Sequence, residues 1–225
     1  MDKQQIDHMV SDKAKAAKSG MRILSLVSSE VRNNALQAMA SAIRDNRGSI
    51  LAANKIDMKN GLADRLADPL MKRLELDDKK IEIMADNLVQ VAALPEPIGQ
   101  IDSMWERPNG LRIGTVRVPI GLIGVIYESR PNVTVEVAAL CIKSGNGVLL
   151  RGGSEAISSN TVIAEILQKS AKDFGLDQAI QFVDITDRQA VQSMIAKHEL
   201  IDLIVPRGSN EFIRYIMKNS EIPVV

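Results

Sequence analysis

The spacing of apolar residues divides the chain into a helical first part and a second part in which short strands alternate with helices. In the first part, apolar residues recur every three or four positions in two stretches, which predicts a helix beginning at Ser28 or Ser29 and another over 77–94. The apolar positions are Val31, Ala35, Met39 and Ile43, and then Ile81, Met84, Leu88 and Val91. Such stripes are typical of helix faces that pack on a core, so residues 1–100 are interpreted as the N-terminal helical part of a larger domain.

The second part, residues 119–225, has the alternation typical of an α/β protein. Strands are predicted over 122–127, 148–150, 180–185 and 201–205, with another beginning at 222, and helices over 133–143, 156–174, 187–196 and 210–219. Short apolar runs that alternate with helical patterns indicate a parallel sheet with right-handed crossovers. Residues 119–225 are therefore expected to form a Rossmann-like, nucleotide-binding region.

Residues 101–118 lie between these two parts and have the pattern of a β-hairpin. Asn109-Gly110 separates two extended runs, which is a strong signal for a tight turn. The second run carries Arg112 and Arg117. Two interpretations stay open: an arm that lies on another subunit, or an edge strand protected by its charges.

Composition narrows the function classes. Lys and Arg together number 28, and so do Asp and Glu, which argues against a general nucleic-acid or membrane-surface binder. A single cysteine excludes an internal disulfide framework and suits a reducing cytoplasm. His8 and His198 have no neighbouring histidine or cysteine, so no metal site is expected. Neither a signal peptide nor a membrane span is apparent in the sequence.

Polar residues follow three of the predicted strands. In open parallel sheets, ligands lie beyond the carboxyl ends of the strands, and each of these turns precedes a predicted helix whose first N–H groups favour anions. The turns contain Ser129, Arg130, Pro131 and Asn132, then Arg151, Gly152, Gly153, Ser154 and Glu155, and then Pro206, Arg207, Gly208 and Ser209. Neither standard glycine-rich nucleotide fingerprint is present. A nucleotide site and three ordinary strand-to-helix turns are both compatible with this pattern.

Three segments resemble a known family. VPIGLIGVIYESRPNVTVEVAALCIKSGNGVLLRGGSEA is similar to the signature region of the γ-glutamyl phosphate reductase family, a branch of the aldehyde dehydrogenase superfamily. IDLIVPRGSNEF resembles its second signature, and NSEIPVV resembles the approach to its catalytic loop. The resemblance implies an aldehyde-dehydrogenase-like, three-layer parallel sheet. Members of the family are nearly twice as long, which implies that the catalytic domain and its nucleophilic cysteine lie beyond Val225.

The resemblance also implies an activity. The family reduces L-glutamyl 5-phosphate to L-glutamate 5-semialdehyde with NADPH and releases phosphate, which is the second step of proline biosynthesis. A cysteine thiolate forms a thioester that hydride then reduces. Cys141 matches a non-catalytic position within an apolar helix, so this chain alone is expected to be inactive. The full-length protein is expected to be a homo-oligomer.

Site residues carry over by position. Arg151 to Glu155 match the segment that meets the adenosine ribose, with Arg151 the expected partner of the 2′-phosphate of NADP. The segment from Pro206 to Ser209 matches the turn near the pyrophosphate. Ser129, Arg130 and Asn132 match the turn near the reacting carbonyl, where donors could hold an oxyanion. For Arg130, a substrate carboxylate, a phosphate or a structural salt bridge are equally open.

Two other functions remain open at this point. One is a non-catalytic nucleotide-binding or interaction module. The other is an acylating aldehyde dehydrogenase with a different acyl donor.

Overall fold

A parallel sheet with helices on both faces forms the centre of the computed structural model, which describes all 225 residues. The helices are α1 (Lys3–Leu24), α2 (Ser29–Asp45), α3 (Arg47–Ala63), α4 (Asp68–Leu74), α5 (Asp78–Ala93), α6 (Asn132–Lys143), α7 (Ile157–Ala171), α8 (Gln189–Ile195) and α9 (Asn210–Asn219). The strands are β1 (Ile101–Glu106), β2 (Arg112–Val116), β3 (Leu122–Tyr127), β4 (Gly147–Arg151), β5 (Ile180–Phe182) and β6 (Leu203–Arg207). None of these helices is both long and apolar enough to cross a membrane.

The order of strands in the sheet places three of the predicted turns side by side. The order is β5-β4-β3-β6, and every pairing is parallel. Strand β3 pairs with both β4 and β6, so the carboxyl ends of these three strands meet at one edge of the sheet. The predicted parallel α/β sheet is therefore confirmed.

The sheet separates two apolar cores, because alternate residues of a strand point to opposite faces. Val125 and Tyr127 of β3 belong to the core that includes α2, α5, α6 and α7. Leu122 and Ile126 belong to the other core, with α1 and α8. The three layers expected from the resemblance are present. Helix α1 lies on the face opposite α2 and α5, which the helical periodicity of residues 1–100 did not indicate.

Two strand boundaries differ from the prediction. Strand β5 ends at Phe182 rather than at residue 185, although Val183 and Ile185 are still buried. Strand β6 begins two residues later than predicted and continues to Arg207, so Pro206 and Arg207 pair with β3 instead of forming the turn. The prediction of a turn at these two residues was wrong.

A proline is tolerated in β6 because of the side that its nitrogen faces. Ile204 donates its N–H to the Pro223 carbonyl at 2.9 Å and accepts from the Val225 N–H at 3.1 Å, so its polar groups point away from β3. Backbone groups two residues further along a strand point the same way, and the nitrogen of Pro206 therefore needs no partner in β3. Val224 forms a parallel bridge with Ile204, where a strand was predicted to begin.

The hairpin of β1 and β2 forms a two-stranded sheet of its own, not an edge of the parallel sheet. Gly110 occupies its turn with φ of 82°, a conformation that glycine adopts without strain. The guanidinium of Arg117 lies 2.8 Å from the Asp102 carboxylate, so this charge is paired within the hairpin. Every residue of β1 is exposed, including Trp105.

Candidate functional site

The turn between β3 and α6 is strained and is held by a carboxylate from the next turn. Ser129 has φ of 40°, a left-handed conformation that a residue with a side chain rarely adopts, and it is only 2% exposed. Its N–H and its hydroxyl both donate to Oε1 of Glu155, at 2.6 and 2.5 Å. The structure therefore joins the turn expected near the substrate to the turn expected near the cofactor.

The contact with Ser129 limits the hydrogen bonds that Glu155 can accept from a ligand. Its Oε1 already accepts two hydrogen bonds from Ser129, so only Oε2 is left to accept from another group. An added Cβ on Gly153 would lie 2.4 Å from that Oε2, which shows how closely the carboxylate folds back over its own turn. The predicted contact of Glu155 with a ribose hydroxyl stays a prediction.

A buried polar network lies behind both turns. The Tyr127 hydroxyl lies 2.6 Å from Thr134 Oγ1, which in turn donates to Asn160 Oδ1 at 2.9 Å. Burial raises the pKa of Tyr127 well above its ordinary range, so its hydroxyl keeps its proton and donates. Asn160 Nδ2 has no hydrogen-bond partner and lies against Gly152. Sequence reasoning missed this network, whose only signal was polar residues at core positions of apolar helices.

Arg151 ends β4 as a nearly buried cation. It is 8% exposed, and Nη2 donates to the Thr186 carbonyl at 3.0 Å. Its Nε is buried without a partner. Burial lowers the pKa of the guanidinium, with smaller opposing effects that include the Glu155 carboxylate. Arg151 is therefore a nearly buried cation with incomplete hydrogen bonding, which an anion would stabilise. Its predicted contact with a cofactor phosphate stays a prediction.

The N-termini of two helices beside these turns are already capped by the chain itself. Both oxygens of Asp57, in α3, accept from the first turn of α7, at 3.0 Å from Ser158 N–H and 2.7 Å from Ser159 N–H. Ser209 Oγ accepts from Phe212 N–H at the start of α9. These contacts occupy two of the first N–H groups of α7 and one of those of α9, so fewer of them are available to an anion than the sequence suggested. Asp57 lies about a hundred residues before α7, and nothing local in the sequence indicated this contact.

Four other residues predicted for the site lie at the same edge of the parallel sheet: Arg130, Asn132, Arg207 and Gly208. Asn132 begins α6 and donates from Nδ2 to Glu136 Oε1 at 2.7 Å, while the other oxygen of Glu136 lies 3.8 Å from Arg207 Nη1. Gly208 packs under the Glu128 carboxylate, where an added Cβ would lie 2.8 Å from Cδ. No ion pair involves Arg130, which excludes the salt-bridge interpretation, and this residue lines a cavity beside α5.

Cys141 lies in α6, away from this edge. The side chain is 4% exposed, and burial raises the pKa of its thiol to about 12. A thiolate is the reactive form, so the chain's one cysteine has neither the charge state nor the access of a nucleophile. This agrees with the structural role predicted for it.

We expect Cys141 to resist thiol reagents in the folded chain. An aromatic disulfide reagent should label less than a tenth of the protein in the time that fully labels the chain in denaturant, because both access and ionisation are suppressed. Raising the pH from about 7 to about 9 should accelerate labelling of the denatured chain much more than that of the folded chain. Rapid labelling of the folded chain would contradict the buried position.

Comparison with known proteins shows the family to which the chain belongs. The aldehyde dehydrogenase family model matches residues 1–224. The chain is 48% identical over 215 residues to γ-glutamyl phosphate reductase of Clostridium tetani, covering 95% of this chain and 50% of that protein. The crystal structure of γ-glutamyl phosphate reductase from Thermotoga maritima superposes with a TM-score of 0.93 at 38% identity, covering 96% of this chain and 52% of that one.

A eukaryotic structure gives the same result. The γ-glutamyl phosphate reductase of Saccharomyces cerevisiae matches with a TM-score of 0.87 at 36% identity, over 100% of this chain and 56% of that one. The chain thus spans about half the length of the relatives it matches. These similarities confirm the resemblance inferred from the motifs, and the chain belongs to the aldehyde dehydrogenase family.

Proposed function

We propose that this chain provides the cofactor-binding half of an NADPH-dependent reductase that converts L-glutamyl 5-phosphate to L-glutamate 5-semialdehyde and phosphate. The observation that carries the proposal is the convergence of three turns at one sheet edge, with Ser129 bonded to Glu155 and with Arg151 Nε buried and unpartnered beside them. Relatives with the corresponding half carry the name of this reductase.

The residues of the second turn would hold the cofactor. Arg151 would bind the 2′-phosphate, which distinguishes NADP from NAD, and Gly152 and Gly153 would let the backbone approach the adenosine ribose. Gly208 and Ser209 would lie near the pyrophosphate. When bound, NADPH supplies the hydride for reduction of the acyl group.

The turn after β3 would face the reacting group. Ser129 is fixed by Glu155, so its neighbours Arg130 and Asn132 are presented by a rigid backbone. Preorganised donors at such a position can stabilise an oxyanion without reorganising during the reaction. Asn132 Nδ2 is bonded to Glu136 in this structure, and Arg130 has no such partner.

A place in proline biosynthesis follows from the proposed reaction. A homo-oligomer is supported by the hairpin of β1 and β2, which carries exposed apolar residues, among them Met104, Trp105 and Val116. A cytoplasmic location is part of the proposal, in keeping with the proposed biosynthetic reaction.

A turnover assay tests the chemistry separately from binding. With NADPH and L-glutamyl 5-phosphate, the 225-residue chain should consume no NADPH above the blank, because Cys141 is buried and protonated. NADPH should nevertheless bind, with a change in its fluorescence. Turnover by the chain would contradict the need for another nucleophile, and an absence of binding would contradict the proposed cofactor role.

A further inference from the structure

A small cavity next to the β3–α6 turn has a strongly cationic lining. Its volume is about 260 Å³, and it lies between the α4–α5 region and the first turns of α6. Its charged side chains are Lys72, Arg73, Lys80, Arg130 and Glu136. Ligand pockets for drug-sized molecules have volumes of roughly 300–1,000 Å³, so this cavity suits a smaller molecule.

Most of the positive charge in this cavity is not neutralised by the protein. Arg130, Lys72 and Arg73 take part in no ion pair. Lys80 differs, because its Nζ donates to the backbone carbonyls of Lys72 and Glu75 and so fixes the link between α4 and α5. The backbone at Arg130 is fixed, because the N–H of the preceding residue, Ser129, donates to Glu155.

One carboxylate lines the cavity, at a defined position. Glu136 lies one helical turn after Asn132, which donates to its Oε1 at 2.7 Å. Its Oε2 lies 3.8 Å from Arg207 Nη1, too far for a hydrogen bond. The side chain is 32% exposed, so the carboxylate is only partly screened by these neighbours.

We propose that this cavity binds the amino-acid end of the substrate, with Glu136 receiving the α-ammonium group and Arg130 the α-carboxylate. Three unpaired cations and one carboxylate complement a ligand that carries one ammonium and more than one acidic group. A simple phosphate site would have no use for Glu136, which would repel it. The inference rests on the proposed function, since it assigns two residues to the amino-acid end of the substrate named there.

Titration calorimetry with L-glutamate and with glutarate, which lacks the ammonium group, tests the assignment. The folded chain should bind L-glutamate more tightly than glutarate. Arg130→Gln should weaken both ligands about tenfold, the usual effect of losing one charge-assisted hydrogen bond. Glu136→Gln should weaken L-glutamate by a similar factor and leave glutarate unchanged or slightly tighter. The matched controls Arg22→Gln and Glu30→Gln, both exposed and distant in sequence, should change neither affinity.

Several outcomes would overturn the assignment. Equal affinity for the two ligands, or no L-glutamate binding, would do so, and so would a Glu136→Gln variant that binds L-glutamate like the unmodified chain. Displacement of L-glutamate by inorganic phosphate with no effect of Glu136→Gln would mean that the cavity is an anion site only. A parallel NADPH titration distinguishes failure of this inference from failure of the proposed function. Cofactor binding without L-glutamate binding would contradict this inference and leave the proposed function intact.

Discussion

Replacing Gly152 with alanine should destabilise the chain by about 1–3 kcal/mol and lower its Tm by roughly 2–12 °C. A Cβ at this position would lie 2.1 Å from Asn160 Nδ2 and 3.2 Å from a ring carbon of Tyr127. Neither neighbour can move freely, because Asn160 is fully buried and Thr134 bonds to both. Thermal unfolding followed by circular dichroism measures the change.

Gly48→Ala provides the matched control. Gly48 lies in α3 with nothing within 4 Å of an added Cβ, so alanine there should leave stability unchanged or raise it by up to about 1 kcal/mol. The same substitution should therefore destabilise the chain at Gly152 and not at Gly48. A Gly152→Ala chain as stable as the unmodified protein would show that the buried network does not constrain this turn.

Removing the Glu155 carboxylate should have an effect of similar size. In Glu155→Ala, the buried Ser129 N–H and hydroxyl lose their shared acceptor, and the left-handed backbone of Ser129 loses the contact that holds it. A buried unsatisfied donor costs about 1–3 kcal/mol, and we expect a loss within that range. Chemical denaturation monitored by circular dichroism gives the free energy of unfolding.

A double-mutant cycle with Ser129→Gly shows whether the contact acts as argued. Glycine adopts the left-handed conformation without strain but cannot supply the hydroxyl. Ser129→Gly should therefore be close to neutral or stabilising in the Glu155→Ala background and less favourable in the unmodified chain. Additive effects of the two substitutions would mean that Ser129 and Glu155 are not energetically coupled.

The parts of the fold that depend on local pattern could be predicted from the sequence. The apolar positions that end at Ile43, together with the cap at Ser28, predicted α2, and Asn109-Gly110 predicted the hairpin. The boundaries of β6 could not be predicted in this way, because whether Pro206 is tolerated depends on which side of the strand faces β3. The position of α1 depends on packing between distant segments and has no local signature.

The same distinction applies to the site. The pattern predicted parallel strands followed by polar turns, and in the structure Ser129, Glu155 and Arg207 lie at one edge of the sheet. The contacts made there were not predictable, since Asp57 reaches α7 and Glu155 reaches Ser129 only through the tertiary fold. These contacts use backbone N–H groups and a carboxylate oxygen that the sequence alone left available to a ligand. A donor or acceptor that caps a helix or holds a turn is no longer free to bind one.

Titration of the chain with NADPH and with NADH, repeated on Arg151→Ala, most directly tests whether this is an NADP-binding half-site. We expect NADPH to bind at least about tenfold more tightly than NADH, and we expect the difference to disappear in Arg151→Ala with little change in NADH affinity. Circular dichroism should first confirm that the variant is folded, because Arg151 also donates to the Thr186 carbonyl. Equal binding of the two cofactors, or a preference for NADPH that survives in the folded variant, would contradict the assignment of Arg151 to the 2′-phosphate.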